Sequence, residues 1–238
     1  MGTAEAGTGL SGQRLSTLYR ERFTPKELAF KRRMWRTFVA RYFQRFFALD
    51  EVVLDLGAGN CEFINTIECG EKLAVDLNPD LARLVEGAKA IVRPSRSIPE
   101  VPTGSVDVVF TSNFFEHLPD KRELLSTLQE CHRMLRPDGR IMILMPNIRY
   151  LPGRYWDYLD HHLALTHHSL VEALVVTGYR PELVRAKTLP YTIKYTRVPR
   201  WPWLVDLYML MPVVWPLFGK QMFVLARSVE IEDEDASP

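Results

Sequence analysis

Residues 52–60, Val52-Val53-Leu54-Asp55-Leu56-Gly57-Ala58-Gly59-Asn60, join a short aliphatic run to a glycine-rich turn. The run has the length and composition of a buried strand, and the glycines allow the backbone behind it to turn sharply. Similar runs recur along the chain, with helical patterns between most of them. The further strand candidates are residues 72–77, 90–93, 106–111 and 140–145, and the helical stretches are 61–69, 80–88, 120–135 and 167–178. Strands that alternate with helices predict an α/β fold with a parallel sheet and right-handed crossovers.

The composition is that of a soluble globular protein, since 47% of the 238 residues are hydrophobic and 25% are charged. This excludes a collagen-like, a disulfide-scaffold and a wholly disordered chain. The three cysteines have neither metal-ligand nor disulfide-framework spacing, which favours a reducing compartment. The N-terminal residues lack the apolar core of a signal peptide, so we predict a cytoplasmic protein.

Charge is unevenly distributed along the chain, although 30 basic residues nearly balance 29 acidic ones. Thr24, Pro25 and Glu27 form a capping-box pattern, which predicts the start of a helix that we place at residues 24–47. One side of this helix is apolar and is expected to pack on the sheet, and the other side is basic. The basic side could contact an anionic lipid or a phosphate. Nucleic acid is disfavoured, because no RNA-binding motif accompanies the basic side.

Residues 189–219 form a segment rich in tryptophan and proline between two predicted terminal strands, at about 180–188 and 221–227. Its longest uncharged run is broken by prolines and is too short to span a bilayer. We predict a lid or a dimer contact that covers the active site, and contact with a membrane surface is the alternative. At the chain ends, residues 1–23 are expected to be flexible and the acidic tail 229–238 to be disordered.

Polar residues follow the predicted strands at the points where the strands end. Gly57 and Gly59 follow the first strand, and Asp76 closes the second. The carboxyl ends of parallel strands share one edge of a sheet, which is where ligands bind. Glu62 stands where a dinucleotide fingerprint needs its third glycine, and no phosphate-loop Gly-Lys-Ser/Thr is present. Asp76 has the spacing of an acid that accepts hydrogen bonds from two ribose hydroxyls. A nucleoside without phosphates, held by a glycine turn and an acid, indicates S-adenosylmethionine.

Four segments resemble, in order, the successive motifs of the class I S-adenosylmethionine-dependent methyltransferases. They are VLDLGAGNCE (53–62), AVDLNP (74–79), GSVDVVFTSNFFEHL (104–118) and RMLRPDGRIMIL (133–144). The resemblance covers about residues 50–185, and the later part is similar to a bacterial branch (type 11/23-like) linked to glycan, lipid or secondary-metabolite methylation. It implies a Rossmann-like seven-stranded sheet of order 3-2-1-4-5-7-6 with the last strand antiparallel, in a single domain of residues 24–228.

The resemblance also implies which residues contact the cofactor. The residues at the matching positions are Asp55, Gly57, Ala58, Gly59, Asp76, Leu77, Ser95 and Asn113. The sequence departs from the family pattern at two places. Cys61 replaces the third glycine of the turn and is expected to be a buried packing residue. The stretch 93–96 lacks the acid that usually meets the adenine amino group, so Ser95 or a backbone carbonyl is expected to take that role.

Candidates for proton transfer come from two places in the chain. His117 follows the fourth strand beside the expected methyl position and is the first candidate for a general base; its alternative role is to fix the loop or cap the next helix. Asp160 and His161 are adjacent and could form a second pair of base and orienting acid. The residues expected to form a wall or lid for the substrate are Asn147, Tyr150, Tyr155, Trp156 and Tyr158. The histidines in this region lack the spacing of a metal site, so no metal is predicted.

These observations predict transfer of a methyl group from S-adenosylmethionine to a small-molecule or lipid/carrier-linked acceptor. O-methylation of a glycan or secondary metabolite is favoured. The alternatives are an N- or carboxyl-methyltransferase, a non-catalytic partner subunit with this fold, and a peripheral module at the inner face of a membrane. A monomer or a homodimer is expected.

Overall fold

The computed structural model describes residues 24–191 and 201–230. The stretch 1–23 predicted to be flexible, most of the predicted acidic tail and part of the predicted insertion lie outside the described residues. The strands are β1 (Val52–Leu56), β2 (Glu71–Asp76), β3 (Lys89–Val92), β4 (Val106–Ser112), β5 (Leu135–Pro146), β6 (Tyr179–Arg185) and β7 (Gln221–Ser228). The α-helices are α1 (Pro25–Phe38), α2 (Leu81–Leu84), α3 (Lys121–Met134), α4 (His167–Val176), α5 (Pro202–Leu210) and α6 (Trp215–Phe218). A π-helical turn spans Val39–Phe43, and 3-10 turns span Gln44–Phe46, Phe115–His117, Ile148–Tyr150, Arg154–Asp157 and Pro212–Val214.

The strands form one seven-stranded sheet in the order β3-β2-β1-β4-β5-β7-β6, which confirms the predicted topology. The pairs among β1 to β5 are parallel, and β7 is antiparallel to both of its neighbours. The carboxyl ends of β1 to β6 therefore lie at one edge of the sheet. β7 begins at the same edge, because its first residue, Gln221, pairs with Pro146 at the end of β5.

The N-terminal helix begins with the predicted capping box. The Thr24 side chain accepts a hydrogen bond from the Glu27 N–H, and the Glu27 carboxylate accepts one from the Thr24 N–H. The helical stretch continues beyond α1 through the π and 3-10 turns. Its buried side packs aromatic rings on one face of the sheet, with Phe43 5.6 Å from both Phe110 and Phe223 between ring centroids. The opposite face is covered by α3 and α4 through mainly aliphatic side chains.

Two of the predicted helices are wrong in extent. Residues 61–69 form a series of turns instead of a regular helix, and 80–88 contains only the four-residue α2. The side chain of Asn65 explains the early end of α2. It donates to the Leu84 carbonyl at 2.8 Å and accepts from the Glu86 N–H at 2.9 Å, so it takes the carbonyl that a further helical turn would need.

The connection between β6 and β7 leaves the sheet and returns to it at the carboxyl edge. Its base is closed by backbone hydrogen bonds, from Thr188 N–H to the Gln221 carbonyl at 2.7 Å and from Lys220 N–H to the Leu189 carbonyl at 2.8 Å. Trp215 anchors its far part in the aromatic core, with its ring 5.0 Å from that of Tyr42.

Among the described residues, none of the helices combines the length and the apolar character that crossing a membrane requires.

Candidate functional site

The turn after β1 is held in place by the end of β2. The N–H groups of Gly57 and Ala58 donate to the Val75 carbonyl at 2.9 and 3.1 Å. The Asp76 carboxylate accepts from the Gly59 N–H through one oxygen and from the Asn78 N–H through the other, both at 2.8 Å. Asp76 therefore fixes the shape of the turn, and both of its oxygens are aligned by the backbone.

Three residues of this neighbourhood have left-handed backbone conformations. Gly57 has φ +71° and Gly59 has φ +55°. A Cβ at Gly57 would also lie 2.5 Å from Cγ of Phe114, so this position excludes any side chain. Cys61 has φ +60° without being a glycine, which explains why related turns place a third glycine here. Cys61 is fully buried, and burial raises the pKa of its thiol to about 12, as expected for a packing residue.

A cleft opens at the carboxyl edge of the sheet beside this turn. It encloses about 690 Å³ of space, including the part open to solvent. It is lined by Leu56, Gly57, Val75, Asp76, Leu77, Arg93, Pro94, Ser95, Phe114, His117, Leu118, Glu123 and Asp160. The cleft thus brings together six of the predicted site residues, from five separate parts of the chain.

The other predicted cofactor residues lie beside the cleft lining. Asp55 is buried in β1, and Ala58 and Gly59 contribute backbone groups to the turn. Asn113 is exposed at the end of β4 with φ +51°, and its side-chain amide donates to the Ser112 hydroxyl. Ser95 lines the cleft, and its hydroxyl is 2.7 Å from that of Thr127.

Acidic groups cluster at the turn. Burial raises the pKa of Asp55 well above its usual range, and the carboxylates of Asp76 and Glu62 raise it further. Burial also raises the pKa of Asp76, although the backbone N–H groups that it accepts from oppose this shift. Lys31 of α1 forms an ion pair with Glu62 at 3.3 Å and so links the N-terminal helix to the turn.

His117 is paired with Asp160 across the cleft. Its Nδ1 lies 2.9 Å from the backbone carbonyl of Asp160 and 3.2 Å from a carboxylate oxygen of the same residue. Because a carbonyl only accepts, Nδ1 carries the hydrogen and the lone pair of the neutral ring is on Nε2. The sequence suggested Asp160 as the partner of the adjacent His161. The structure brings it to His117, which is far away in sequence.

His161 lies in an aromatic cluster next to this pair. Its ring centroid is 5.1 Å from that of His117, and Tyr158 stacks on it at 5.1 Å. Tyr191 contacts Tyr158 edge-on at 6.0 Å. Tyr155 is completely buried and its hydroxyl donates to the Leu163 carbonyl, so its role is packing.

The remaining predicted substrate residues have different positions. Asn147 is completely buried at the end of β5, where its amide donates to the Ala186 carbonyl at 3.0 Å and lies 3.0 Å from Nδ1 of His167. It therefore ties three elements together and is shielded from solvent. Tyr150 stacks near His167, and Trp156 is 55% exposed beside Tyr155. Of the five predicted wall residues, Tyr155 and Tyr158 contact the ring of His161 beside the His117–Asp160 pair, at 4.8 and 5.1 Å between centroids.

Glu116, His117 and His161 satisfy the distances of a metal site. Within the two described ranges of the chain, each offers one ligand atom within 4.8 Å of the other two. Glu116 is buried, and its carbonyl accepts from the N–H groups of His162 and Leu163 at 2.8 and 3.2 Å. The rings of His117 and His161 also contact each other edge to face, with 5.1 Å between their centroids. The prediction that the protein uses no metal stays a prediction.

Glu123 lines the cleft and was not singled out from the sequence. It lies in the first turn of α3, where Asp120 caps the helix by accepting from its N–H at 2.9 Å. Arg96 holds both oxygens of its carboxylate at 3.0 Å. The sequence lacks the expected acid after β3, but Glu123 of α3 supplies a carboxylate to the cleft. Ser95 lies next to the same helix, because its hydroxyl is 2.7 Å from that of Thr127. Asp120 has the position of an N-cap in the sequence, and a helix that starts there places Glu123 in its first turn at the carboxyl edge of the sheet.

Comparisons with known proteins agree with this geometry. Residues 54–143 match the family model described as a methyltransferase domain. A probable S-adenosylmethionine-dependent methyltransferase of Mycolicibacterium smegmatis is 34% identical over 57% of this chain and 60% of its own length. One from Mycobacterium tuberculosis is 34% identical over 56% of this chain and 55% of its own length. The match thus spans little more than half the length of these relatives.

Solved structures with the same fold include a complex between the Haloferax volcanii Trm112 methyltransferase activator and a methyltransferase. That match has a TM-score of 0.68 at 15% identity and covers 94% of this chain and 100% of the other. A second is Burkholderia thailandensis 1,6-didemethyltoxoflavin-N1-methyltransferase, solved with 1,6-didemethyltoxoflavin and S-adenosylhomocysteine. It has a TM-score of 0.56 at 19% identity and covers 92% of this chain and 87% of the other. In the matched family model, its sequence relatives and the order of its sheet, the chain is similar to the class I S-adenosylmethionine-dependent methyltransferases.

Proposed function

We propose that this protein transfers a methyl group from S-adenosylmethionine to a hydroxyl of a small-molecule or lipid/carrier-linked acceptor, such as a glycan or a secondary metabolite. The observation that supports a hydroxyl is the His117–Asp160 pair, which lines the same cleft as Asp76. A hydroxyl must lose a proton during methyl transfer, whereas a carboxylate needs no base.

The residues of the cleft fit the cofactor. Asp76 offers an aligned carboxylate for two ribose hydroxyls, and Gly57 lines the cleft beside it. Leu77 and Leu118 offer apolar contact to an adenine ring, and Glu123 is a candidate partner for its amino group. When bound, S-adenosylmethionine supplies an activated methyl group on a positively charged sulfur.

The role of the chain's own residues is to position the acceptor and to take its proton. Asp160 keeps the hydrogen of His117 on Nδ1, so that Nε2 is the proton acceptor. As the ring gains a proton, the Asp160 carboxylate at 3.2 Å stabilises the positive charge. Tyr158 and His161 form an aromatic wall that limits the access of water to this pair.

The experiment below also distinguishes this proposal from other functions. An amine or a carboxylate acceptor would need alignment alone, and the His117–Asp160 pair would then be structural. The Haloferax volcanii methyltransferase was solved with an activator, which makes a partner subunit a second candidate for this chain. A cytoplasmic location and the monomeric or homodimeric state stay predictions.

The experiment follows transfer of a labelled methyl group from S-adenosylmethionine into glycan, lipid and small-molecule fractions of cells that make the protein. We expect a product that survives mild base, because an ether does and a methyl ester does not. His117→Ala should lower turnover by roughly 10²–10⁴-fold, the range for loss of a general base. Calorimetry should find its cofactor affinity close to wild type.

His132→Ala is the matched control, because His132 lies on α3 and contacts the Val229 carbonyl, away from the cleft. It should retain wild-type turnover. The lower limb of the pH–rate profile should report a histidine in the wild type and disappear in His117→Ala. If His117→Ala keeps turnover within a few-fold of wild type, with an unchanged pH profile, the hydroxyl mechanism is wrong.

A further inference from the structure

The connection between β6 and β7 presents an unusually apolar surface, which we call the insertion surface. It is formed by Trp201, Trp203, Leu210, Val213, Leu217 and Phe218, each more than half exposed. Isolated exposed apolar residues are ordinary on soluble proteins, but so many within one short segment mark an interaction site. Their exposure requires an explanation.

The segment that carries this surface is firmly attached to the domain. Met209 and Trp215 on its inner side are almost completely buried, and the indole N–H of Trp215 donates to the Tyr208 carbonyl at 3.0 Å. The Tyr208 hydroxyl in turn donates to the Thr188 carbonyl. The outward side chains therefore project from an anchored segment, so their exposure is a property of the fold.

A cationic helix lies next to the insertion surface. α1 packs against α5, where Arg41 pairs with Asp206 at 3.3 Å. Arg33 and Val205 line a shallow groove between the two helices. Arg32, Arg33 and Arg36 are exposed on α1. Within residues 201–220, the only charged side chains are those of Asp206 and Lys220, so the partner of this region must be apolar with anionic groups at its margin.

We propose that the insertion surface docks on an anionic lipid bilayer, with its tryptophan and leucine side chains in the interfacial region and the arginines of α1 beside the phosphates. Tryptophan is favoured at that depth because its ring is amphipathic. At nine residues, α5 suits a position in the plane of the interface and is too short to span the bilayer. A homodimer through the same surface lacks charge complementarity, because Asp206 is already paired with Arg41 and α1 offers mainly positive charge.

The docking surface is connected to the candidate active site. Both ends of the connection lie at the carboxyl edge of the sheet, where the cleft opens. Tyr191, which precedes the insertion surface in the chain, contacts the rings of Tyr158 and His161 at 6.0 and 6.5 Å. Docking would bring this edge toward the membrane. The proposal holds independently of methyl transfer, since it rests on the exposed side chains and charges alone.

The test is flotation of the full chain with vesicles of phosphatidylcholine, with or without phosphatidylglycerol. We expect binding to the phosphatidylglycerol vesicles, which weakens as salt rises from about 0.1 M to about 1 M, because the screening length falls from about 10 Å to about 3 Å. The double variant Leu217→Ser/Phe218→Ser should weaken binding at least about tenfold, because it removes two apolar side chains that the bilayer would bury. Arg32→Gln/Arg36→Gln should remove most of the preference for phosphatidylglycerol.

The matched control is Leu49→Ser. Leu49 is 72% exposed and Leu217 is 70% exposed, but Leu49 precedes β1 at the opposite edge of the sheet. Leu49→Ser should bind vesicles within about twofold of wild type. Calorimetry of cofactor binding should be the same for all variants, which shows that they are folded.

Three outcomes would overturn the proposal. The first is no binding of the wild-type chain to either kind of vesicle. The second is an equal effect of Leu49→Ser and Leu217→Ser/Phe218→Ser. The third is a dimer in light scattering that the double variant dissociates, without vesicle binding, since the surface would then be a contact between copies.

Discussion

Asp76 holds the turn after β1 in shape, and we predict that it also binds the ribose of the cofactor, so replacing it with alanine tests both roles. The carboxylate accepts from the N–H groups of Gly59 and Asn78, both at 2.8 Å, and we expect it to accept from the ribose of the cofactor as well. A hydrogen bond to a charged group contributes about 1.5–3 kcal/mol, and we take this range for both ribose hydroxyls together, because each Asp76 oxygen already accepts from the backbone. Asp76→Ala should therefore lower cofactor affinity by about 1.5–3 kcal/mol, or roughly 10- to 150-fold in Kd. The free energy of unfolding should fall as well, because the turn loses its brace.

Asp107→Ala is a matched control at the other end of β1. Asp107 accepts from the Val52 N–H at 2.8 Å through one oxygen and pairs with Arg136 at 2.7 Å through the other. Both variants should lose stability in urea denaturation. In calorimetry with S-adenosylhomocysteine, Asp76→Ala alone should lose affinity, because Asp107 is at the amino edge.

The pH dependence of binding supplies a second measurement. Burial raises the pKa of Asp76, and its ionised form is the better acceptor for hydroxyl groups. Affinity should therefore fall on acidification at a higher pH than an exposed aspartate would give, and this dependence should be absent in Asp76→Ala. Wild-type affinity in a folded Asp76→Ala protein, or equal losses in the two variants, would refute the ribose assignment.

Gly57→Ala should destabilise the fold by more than about 2 kcal/mol in urea denaturation, because it adds a contact with Phe114 to the left-handed backbone cost; Gly104→Ala, at φ +64° with open space around it, should cost only about 1–2 kcal/mol. Asp55→Asn should reduce the pH dependence of stability: a raised carboxyl pKa means that the folded wild type binds protons more tightly than the unfolded chain, so its stability falls as pH rises from the unfolded pKa through the folded one. Equal pH dependence of the urea midpoint in the two proteins would contradict this. Treatment with a chelator should leave methyl transfer unchanged, and elemental analysis should find no stoichiometric metal; a bound transition ion would contradict this, with Glu116, His117 and His161 as its candidate ligands.

The sheet could be predicted from the sequence because its strands are aliphatic runs whose period and spacing are local properties. The helices at 61–69 and 80–88 could not, because their extent depends on tertiary contacts. Asn65 takes the Leu84 carbonyl from a different segment, and Cys61 adopts a left-handed conformation that a residue other than glycine rarely shows. Local propensity is a weak guide where such contacts decide.

The site was predictable where it depends on strand ends. Gly57, Asp76 and His117 reach one cleft because topology places the carboxyl ends of their strands together. The partner of His117 was not predictable, because Asp160 arrives on a loop whose path no local pattern determines. Asn147 was predicted to contact the substrate because it follows β5. That position does not reveal that its buried amide donates to the Ala186 carbonyl after β6.

The closed base of the connection between β6 and β7 has a consequence for how this protein can diversify. The backbone hydrogen bond from Thr188 to Gln221 brings the two ends of the connection together. The register of β6 and β7 therefore does not depend on the residues that lie between these ends. The cost of closing a loop rises only slowly with its length. Among the described residues of the connection, Met209 and Trp215 fill places in the core that a replacement would have to reproduce. Related proteins could therefore carry different connections between β6 and β7. Such a change would alter the surface that contacts a partner and leave the turn at Gly57 and the carboxylate of Asp76 in place.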